Sequence, residues 1–241
     1  MAERTFVVGD LHGCLDELNA LLDGLHLTAT DALIFLGDYI DRGPASRGVV
    51  DRLIALRTEG PRCVFLKGNH EDMFLAYMGL GGHYPDAFLV NGGKATLRSY
   101  GFEGCSGEQV VARLSPAHRE FMLGLQNYVT AGEFLCVHAG IHPLRALAEQ
   151  LDEDLFWIRD EFIRNRHRLP YIVLFGHTPQ REVFMDLPYK IGLDTGLVYA
   201  NKLSCLELGA GELIQIRRGD WTLRRTNLAP AIAAALNARG R

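Results

Sequence analysis

Five short apolar runs punctuate this sequence, and each ends in a glycine beside an aspartate, a histidine or an asparagine. The most compact example is Ala32–Leu36, which is followed by the heptapeptide GDYIDRG at residues 37–43. A short apolar run bounded by turn residues is typical of a buried strand. Because α/β sheets place ligands at the carboxyl ends of their strands, we expect Asp38, Asp41 and Arg42 at a binding site. Charges held so close together at a strand end need a polyvalent partner to offset their loss of water.

The other four runs end in the same way. The segments that follow them are GDLHG at 9–13, KGNHE at 67–71, HAG at 138–140 and GHT at 176–178. Six oxygen and imidazole donors therefore lie at predicted strand ends: Asp10, His12, Asp38, Asn69, His138 and His177. This mixture without a thiolate suits Mn, Fe or Zn. Six donors are too many for one ion with open positions, so the sequence predicts two divalent ions about 3.5–4 Å apart, bridged by Asp38.

The predicted centre has a definite chemistry. Two divalent ions carry more positive charge than Asp10 and Asp38 offset, so we expect a dianionic substrate such as a phosphate monoester. Water shared by the ions would ionise near neutral pH and attack phosphorus in line. The planar guanidinium of Arg42 matches two phosphoryl oxygens. His70, with Asp41 as its hydrogen-bond partner, is predicted to stay protonated and to donate to the leaving oxygen.

The order of the predicted elements indicates the α/β class. Helical spacing over residues 15–26 and 46–57 separates the first three strands and predicts a parallel βαβαβ unit. Later in the chain the pattern changes to short strands with hairpin turns. Those strands are predicted at 189–193, 204–208, 213–217 and 221–225, with turns at 209–211 and 219–220.

The remaining segments are predicted to be mainly helical. We expect a short helix over 72–78, one from Ser115-Pro116 to about Leu125, mostly helix over 144–165 and a terminal helix over 230–238. Serine and proline are favoured at the first positions of a helix. The glycine-rich stretch from Gly79 to about Gly107 has little periodicity, and we interpret it as an insertion or lid near the site.

Composition limits the class of protein. With 241 residues and no repeat or linker-like stretch, a single domain over 1–241 is the simplest expectation. A net charge of −4 argues against a general nucleic-acid binder. No apolar run is long enough to cross a bilayer, and the first strand begins almost at Met1, so we expect a cytoplasmic protein without a membrane partner. The five scattered cysteines indicate buried thiols.

The five strand-end segments resemble the signature blocks of the phosphoprotein phosphatase superfamily of metallophosphoesterases, in the family's order over residues 9–178. The resemblance implies a metallophosphatase fold, with a central β-sandwich of two mixed sheets flanked by helices. It also implies a dinuclear site, usually supported by Mn in bacterial members. One ion would be held by Asp10, His12 and Asp38, and the other by Asp38, Asn69, His138 and His177.

The same resemblance makes His70 with Asp41 the acid pair. It makes Arg42 a phosphate ligand, together with an arginine of the later helix. Arg159 matches that second arginine best, with Arg164, Arg166 and Arg168 as rivals nearby. Lys67 stands where many members carry an arginine.

Three functions are open at this point. Asp41 and Glu71 resemble the bacterial serine/threonine protein phosphatase branch, so hydrolysis of phosphoserine and phosphothreonine is the first expectation. The alternative is symmetrical hydrolysis of diadenosine tetraphosphate, whose enzymes typically replace the aspartate of the second block with alanine. The third is a metal-stabilised binding protein without turnover, against which His70, Asp41 and Arg42 argue. The sequence leaves the oligomeric state open.

Overall fold

The computed structural model describes residues 3–239 and contains a mixed six-stranded sheet. Its strands are β1 (Thr5–Val8), β2 (Ala32–Phe35), β3 (Arg62–Phe65), β9 (Lys202–Glu207), β10 (Glu212–Arg217) and β11 (Leu223–Asn227). The spatial order is β11-β10-β9-β1-β2-β3. β1, β2 and β3 are parallel, whereas β9, β10 and β11 are joined by antiparallel pairing. The predicted parallel unit and the predicted hairpins thus share one sheet.

A second mixed sheet has five strands. These are β4 (Tyr128–Ala131), β5 (Phe134–Val137), β6 (Ile172–Phe175), β7 (Phe184–Asp186) and β8 (Lys190–Gly192). The order β4-β5-β6-β8-β7 places parallel β5, β6 and β8 in the middle and antiparallel strands at both edges. The edge strands β4 and β7 were not predicted from the sequence.

Alternating side chains of the described strands contribute to three cores, one between the sheets and one on the outer face of each sheet. Val7 and Ile34 pack with Cys136 and Leu174 of the other sheet, which makes the molecule a sandwich. Phe6 and its neighbours on the opposite face pack against helices. Successive residues of a strand point to opposite faces, so a strand such as β1 contributes both to the core between the sheets and to the core under the helices.

Helices flank the sandwich, and Ile232 of the last helix packs into the core between the sheets. They are α1 (Leu15–Leu25), α2 (Ser46–Glu59), α3 (Asn69–Tyr77), α4 (Lys94–Tyr100), α5 (Gly107–Arg113), α6 (Pro116–Leu123), α7 (Asp152–Trp157), α8 (Asp160–Arg164) and α9 (Ala229–Arg239). The Ser115 side chain caps α6 by accepting from His118 N, as predicted. Within residues 3–239, none of the helices combines the length and apolar content that crossing a membrane requires.

Two segments differ from their predictions. The stretch 79–107 is not irregular: it contains a 3₁₀ turn (Pro85–Ala87), a π turn (Leu89–Gly93), α4 and the start of α5. Thr96 and Leu97 of α4 are buried, so this stretch is packed against the rest of the molecule. The stretch 144–165 is broken into short pieces, because the chain leaves the helical conformation at Ile158 and Arg159.

Candidate metal centre

The predicted site residues follow strands of both sheets. Asp10 and His12 follow β1, and Asp38 follows β2. Asn69 and His70 begin α3 after β3, while His138 follows β5 and His177 follows β6. The carboxyl ends of these parallel strands meet at one edge of the sandwich, so residues distant in sequence become neighbours.

The backbone at this edge is strained. Five of the candidate residues have left-handed backbone angles: His12 (φ 43°), Asp38 (φ 53°), Asp41 (φ 71°), Arg42 (φ 66°) and His177 (φ 63°). This conformation is uncommon for residues other than glycine and costs of order 1–3 kcal/mol at each position. Such strain clusters at functional sites, where the surrounding structure holds it in place.

Asp38 lies at the middle of the cluster. Its Oδ2 is 3.4 Å from His12 Nε2, and its Oδ1 is 3.3 Å from His138 Nε2. Asn69 Oδ1 lies 3.1 Å from His138 Nε2 and 2.9 Å from His177 Nδ1. Among the described residues, two groups of donors that could hold an ion share Asp38, one with His12 and His70 and the other with His138 and His177. This is the arrangement of a bridging carboxylate.

The ring nitrogens that face Asp38 carry lone pairs. His12 Nδ1 lies 2.8 Å from the carbonyl oxygen of Ile40, and His138 Nδ1 lies 2.9 Å from that of Leu36. Each Nδ1 therefore carries the proton and donates it, which leaves Nε2 as an acceptor in the neutral ring. Two acceptors that face each other across 3.3–3.4 Å repel unless a cation lies between them.

Two buried atoms of the cluster, Asp10 Oδ1 and His177 Nε2, have no hydrogen-bond partner within residues 3–239. The other carboxylate oxygen of Asp10, Oδ2, accepts from His177 N at 3.0 Å. A Cβ on Gly176 would lie 2.0 Å from Asp10 Oδ1, so only glycine leaves room for this carboxylate. Buried polar atoms are normally satisfied, and these two fit a divalent cation.

Burial makes the imidazoles suitable as neutral ligands. It lowers the pKa of His12 to about 3, and it also lowers the pKa values of His138 and His177. Burial and the neighbouring carboxylates of Asp194 and Asp38 raise the pKa of Asp10 well above its usual value. Bound cations would relieve this concentration of negative charge. The donor set is oxygen and nitrogen, which suits Mn, Fe or Zn.

His70 is held differently from the other histidines. Its Nδ1 lies 2.6 Å from Asp41 Oδ2, and both side chains are buried. Burial opposes a charge on the ring, but Asp38 and the hydrogen bond to Asp41 together raise the pKa of His70. Its Nε2 is 3.9 Å from Asp38 Oδ2, so the ring lies at the margin of the cluster. A protonated imidazole at this place can donate to an oxygen that leaves the centre.

The two predicted phosphate ligands lie at the rim. Arg42 Nη1 is 2.5 Å from His12 Nε2, and its guanidinium carbon is 5.6 Å from the Tyr199 ring centroid. Arg159 was expected on a helix but lies in the break before α8 and is exposed. Burial is the main cause of the lowered pKa values of His138 and His177, and the positive charge of Arg159 contributes to both. Lys67 Nζ lies 5.0 Å from the Phe156 ring centroid.

Three supporting residues were not recognised as such in the sequence. Glu71 is buried and accepts four backbone N–H groups, from Asp38, Tyr39, Ile40 and Gly68. Thr96 donates to Asp41 Oδ1 at 2.5 Å. The buried Asp194 lies close enough to Asp10 to raise its pKa. Glu71 could have been singled out by its place at the third position of a helix, where a carboxylate reaches back to free N–H groups.

The comparisons with known proteins agree with this geometry. A family model described as calcineurin-like phosphoesterase matches residues 3–207. A symmetrical bis(5'-nucleosyl)-tetraphosphatase of Yersinia pestis (strain Pestoides F) is 42% identical over 83 residues. That match spans 34% of this chain and only 28% of the relative's length.

Solved structures share the fold over most of the chain. A structure described as that of a "putative diadenosine tetraphosphatase" has a TM-score of 0.68 at 24% identity, covering 90% of this chain and 94% of that one. A protein serine/threonine phosphatase of Saccharomyces cerevisiae has a TM-score of 0.57 at 15% identity, covering 93% of this chain and 79% of that one. At such identities the likeness concerns the fold alone, and it confirms the predicted metallophosphatase fold. This chain belongs to the calcineurin-like phosphoesterases, hydrolases with a dinuclear divalent metal site.

Proposed function

We propose that this protein hydrolyses dinucleoside tetraphosphates symmetrically, at a centre of two divalent ions. The named relative with 42% identity is a symmetrical bis(5'-nucleosyl)-tetraphosphatase, and this observation carries the substrate assignment. From the sequence we expected phosphoprotein substrates first and diadenosine tetraphosphate as the alternative. The named relative favours the alternative. The site geometry supports phosphoester hydrolysis in both cases.

The ligands of the ions are assigned from the geometry around Asp38. Asp10 and His12 would hold one ion and Asn69, His138 and His177 the other, with Asp38 between them. Bound there, the ions would supply Lewis-acid polarisation of a phosphoryl oxygen and water of lowered pKa. We propose Mn as the native metal, with Fe and Zn as the alternatives.

The chain's own side chains supply the remaining steps. Arg42 and Arg159 would bind phosphoryl oxygens, since a guanidinium offers two parallel donors to such groups. His70 would give its proton to the leaving oxygen of an ester whose leaving group needs one, held in orientation by Asp41 at 2.6 Å. We propose that water attacks phosphorus directly, so the reaction needs no side-chain nucleophile and forms no phosphoryl-enzyme.

A second candidate function is hydrolysis of phosphoserine and phosphothreonine. The intact Asp41–His70 pair favours it, because a serine alkoxide is a poor leaving group and needs a proton, whereas a nucleotide leaves without one. The two functions therefore rest on different observations and can be separated by experiment.

The test is a comparison of kcat/KM on diadenosine tetraphosphate and on a phosphothreonine peptide, with protein reconstituted with Mn. The proposal predicts a higher value for the dinucleotide and two molecules of ADP as products. A higher value for the peptide would favour the second candidate. AMP with ATP as products would contradict symmetrical cleavage. In ¹⁸O water, one label should enter one of the two products in a single turnover, and a trapped phosphoryl-enzyme would refute direct attack.

A further inference from the structure

The glycine-rich stretch 79–107 contacts Asp41 of the acid pair and its neighbour Arg42. Its π turn brings the Gly92 carbonyl oxygen 3.2 Å from the N–H of Arg42, which donates to it. Its helix α4 brings Thr96 Oγ1 within 2.8 Å of the N–H of Asp41. Asp41 and Arg42 are consecutive left-handed residues, so the stretch that was expected to be a lid fixes a strained turn of the site.

The hydroxyl of Thr96 also reaches the Asp41 carboxylate. Thr96 Oγ1 lies 2.5 Å from Asp41 Oδ1, the length of a hydrogen bond to a charged oxygen. Thr96 Oγ1 lies 3.1 Å from Ser46 Oγ as well, and both hydroxyl-bearing side chains are buried. Because threonine has a single hydroxyl proton, which goes to the carboxylate, the Ser46 hydroxyl is the donor to Thr96.

These contacts form one chain of hydrogen bonds. It runs from Ser46 to Thr96, from Thr96 to Asp41 Oδ1, and from Asp41 Oδ2 to His70 Nδ1. The two oxygens of Asp41 are therefore occupied by one partner each. Because both oxygens have a hydrogen-bond partner, the carboxylate cannot rotate without losing one of them. Thr96 thus holds the Asp41 carboxylate in place, and that carboxylate in turn orients the ring of His70.

We propose that Thr96 is a positioning residue of the acid pair, with Ser46 behind it. The inference rests on the proposed role of His70 as proton donor. Without the Thr96 hydroxyl, Asp41 Oδ1 would be a buried charged oxygen without this partner, and Asp41 would rotate away from His70 to find another. Removal of the hydroxyl would therefore slow the hydrolysis of esters whose leaving group must be protonated. It would slow the hydrolysis of esters with a good leaving group less.

The experiment compares Thr96→Val, which removes the hydroxyl at nearly constant shape, with Thr96→Ser, which keeps it. The substrates are phenyl phosphate, whose leaving group needs a proton, and p-nitrophenyl phosphate, whose leaving group does not. Thr96→Val is expected to lower kcat on phenyl phosphate roughly 10–100-fold, the usual cost of a lost supporting hydrogen bond. The loss on p-nitrophenyl phosphate should be smaller, and Thr96→Ser should keep the wild-type ratio of the two rates.

Ser204→Ala is the matched control. Ser204 is a buried residue whose hydroxyl lies 2.7 Å from that of Thr195, so its loss also breaks a buried hydroxyl pair. It should leave the ratio of the two rates unchanged. If Ser204→Ala changed the ratio of the rates on phenyl phosphate and p-nitrophenyl phosphate as Thr96→Val does, the effect of Thr96→Val would reflect a general loss of stability, and the proposal would be wrong. If Thr96→Val does not fold, Ser46→Ala tests the same chain and should shift the ratio in the same direction.

His70→Asn separates the failure of this inference from that of the proposed function. Suppose that His70→Asn lowers the rate on phenyl phosphate more than the rate on p-nitrophenyl phosphate. If Thr96→Val then lowers both rates equally, or neither, Thr96 has no positioning role. If His70→Asn shows no such difference either, His70 is not the proton donor, and the inference fails together with that part of the proposed function.

Discussion

His70 Nδ1 lies 2.6 Å from the Asp41 carboxylate, although the two residues are 29 positions apart and both are buried. Asp41 thus fixes which ring nitrogen of His70 points away from it. That nitrogen, Nε2, faces the side of Asp38. Its carboxylate partner distinguishes His70 from the histidines that would bind metal. The Nδ1 atoms of His12 and His138 donate to backbone carbonyl oxygens, and Nδ1 of His177 faces Asn69 Oδ1.

Replacing His70 with asparagine should remove the proton donor and leave the metal ligands intact. We expect kcat on phenyl phosphate to fall by about 10²–10⁴, the usual contribution of general acid catalysis, with a smaller loss on p-nitrophenyl phosphate. Metal content, measured by mass spectrometry, should not change. His26→Asn is the control, because His26 is exposed and its left-handed backbone suits asparagine. Equal losses on both substrates would remove His70 from the acid role.

Replacing Asp38 with alanine should abolish binding of both ions, because its two oxygens face the two halves of the cluster at 3.4 and 3.3 Å. Metal content after loading with Mn and desalting gives the measurement. The exposed Asp23 provides the control substitution, Asp23→Ala, which should retain the wild-type content. Two tightly held equivalents in Asp38→Ala would show that this carboxylate is not the bridge.

Replacing Glu71 with glutamine should weaken the loops that carry Asp38 and Asn69. Two backbone N–H groups donate to each carboxylate oxygen of Glu71, and an amide NH₂ cannot accept from one such pair. We expect the free energy of unfolding to fall by about 3 kcal/mol. Urea unfolding of the metal-free protein gives this value. The exposed Glu120→Gln should change it little, and an equally small change in Glu71→Gln would contradict the inferred role.

The ion pair of Asp31 with Arg4 should make stability depend on pH. The hydrogen bond from Arg4 lowers the pKa of Asp31 from 3.8 to about 2. A lowered folded-state pKa means that the stabilisation is complete above about pH 4 and is lost as pH falls towards 2. Because Arg4 is partly exposed, we expect a contribution of about 1–2 kcal/mol.

Urea unfolding of the wild type and of Asp31→Asn from pH 2 to pH 7 measures this contribution. The difference between the two proteins should be largest near neutral pH and shrink as the pH approaches 2. The exposed Asp23→Asn should run parallel to the wild type across the range. A difference that does not vary with pH would show that the charge of Asp31 contributes nothing.

Candidate site residues are easier to recognise in the sequence than the residues that support them. Strand ends are readable because an apolar run followed by glycine and a polar residue has few alternatives. The support of Asp41 by Thr96 is not readable in this way, since a threonine in a glycine-rich stretch has no local signal for a partner 55 positions earlier. Arg159 was placed on a helix because helical periodicity does not reveal a two-residue break.

The α/β class, the parallel βαβαβ unit and the candidate donors can be predicted from the sequence alone, because these follow from local apolar patterns and residue chemistry. The sequence does not show which nitrogen of each histidine faces Asp38, nor that α4 closes the chain of hydrogen bonds behind Asp41. Such contacts depend on packing between segments that are far apart in the chain, and their geometry exists only once both sheets and the helices on them are assembled.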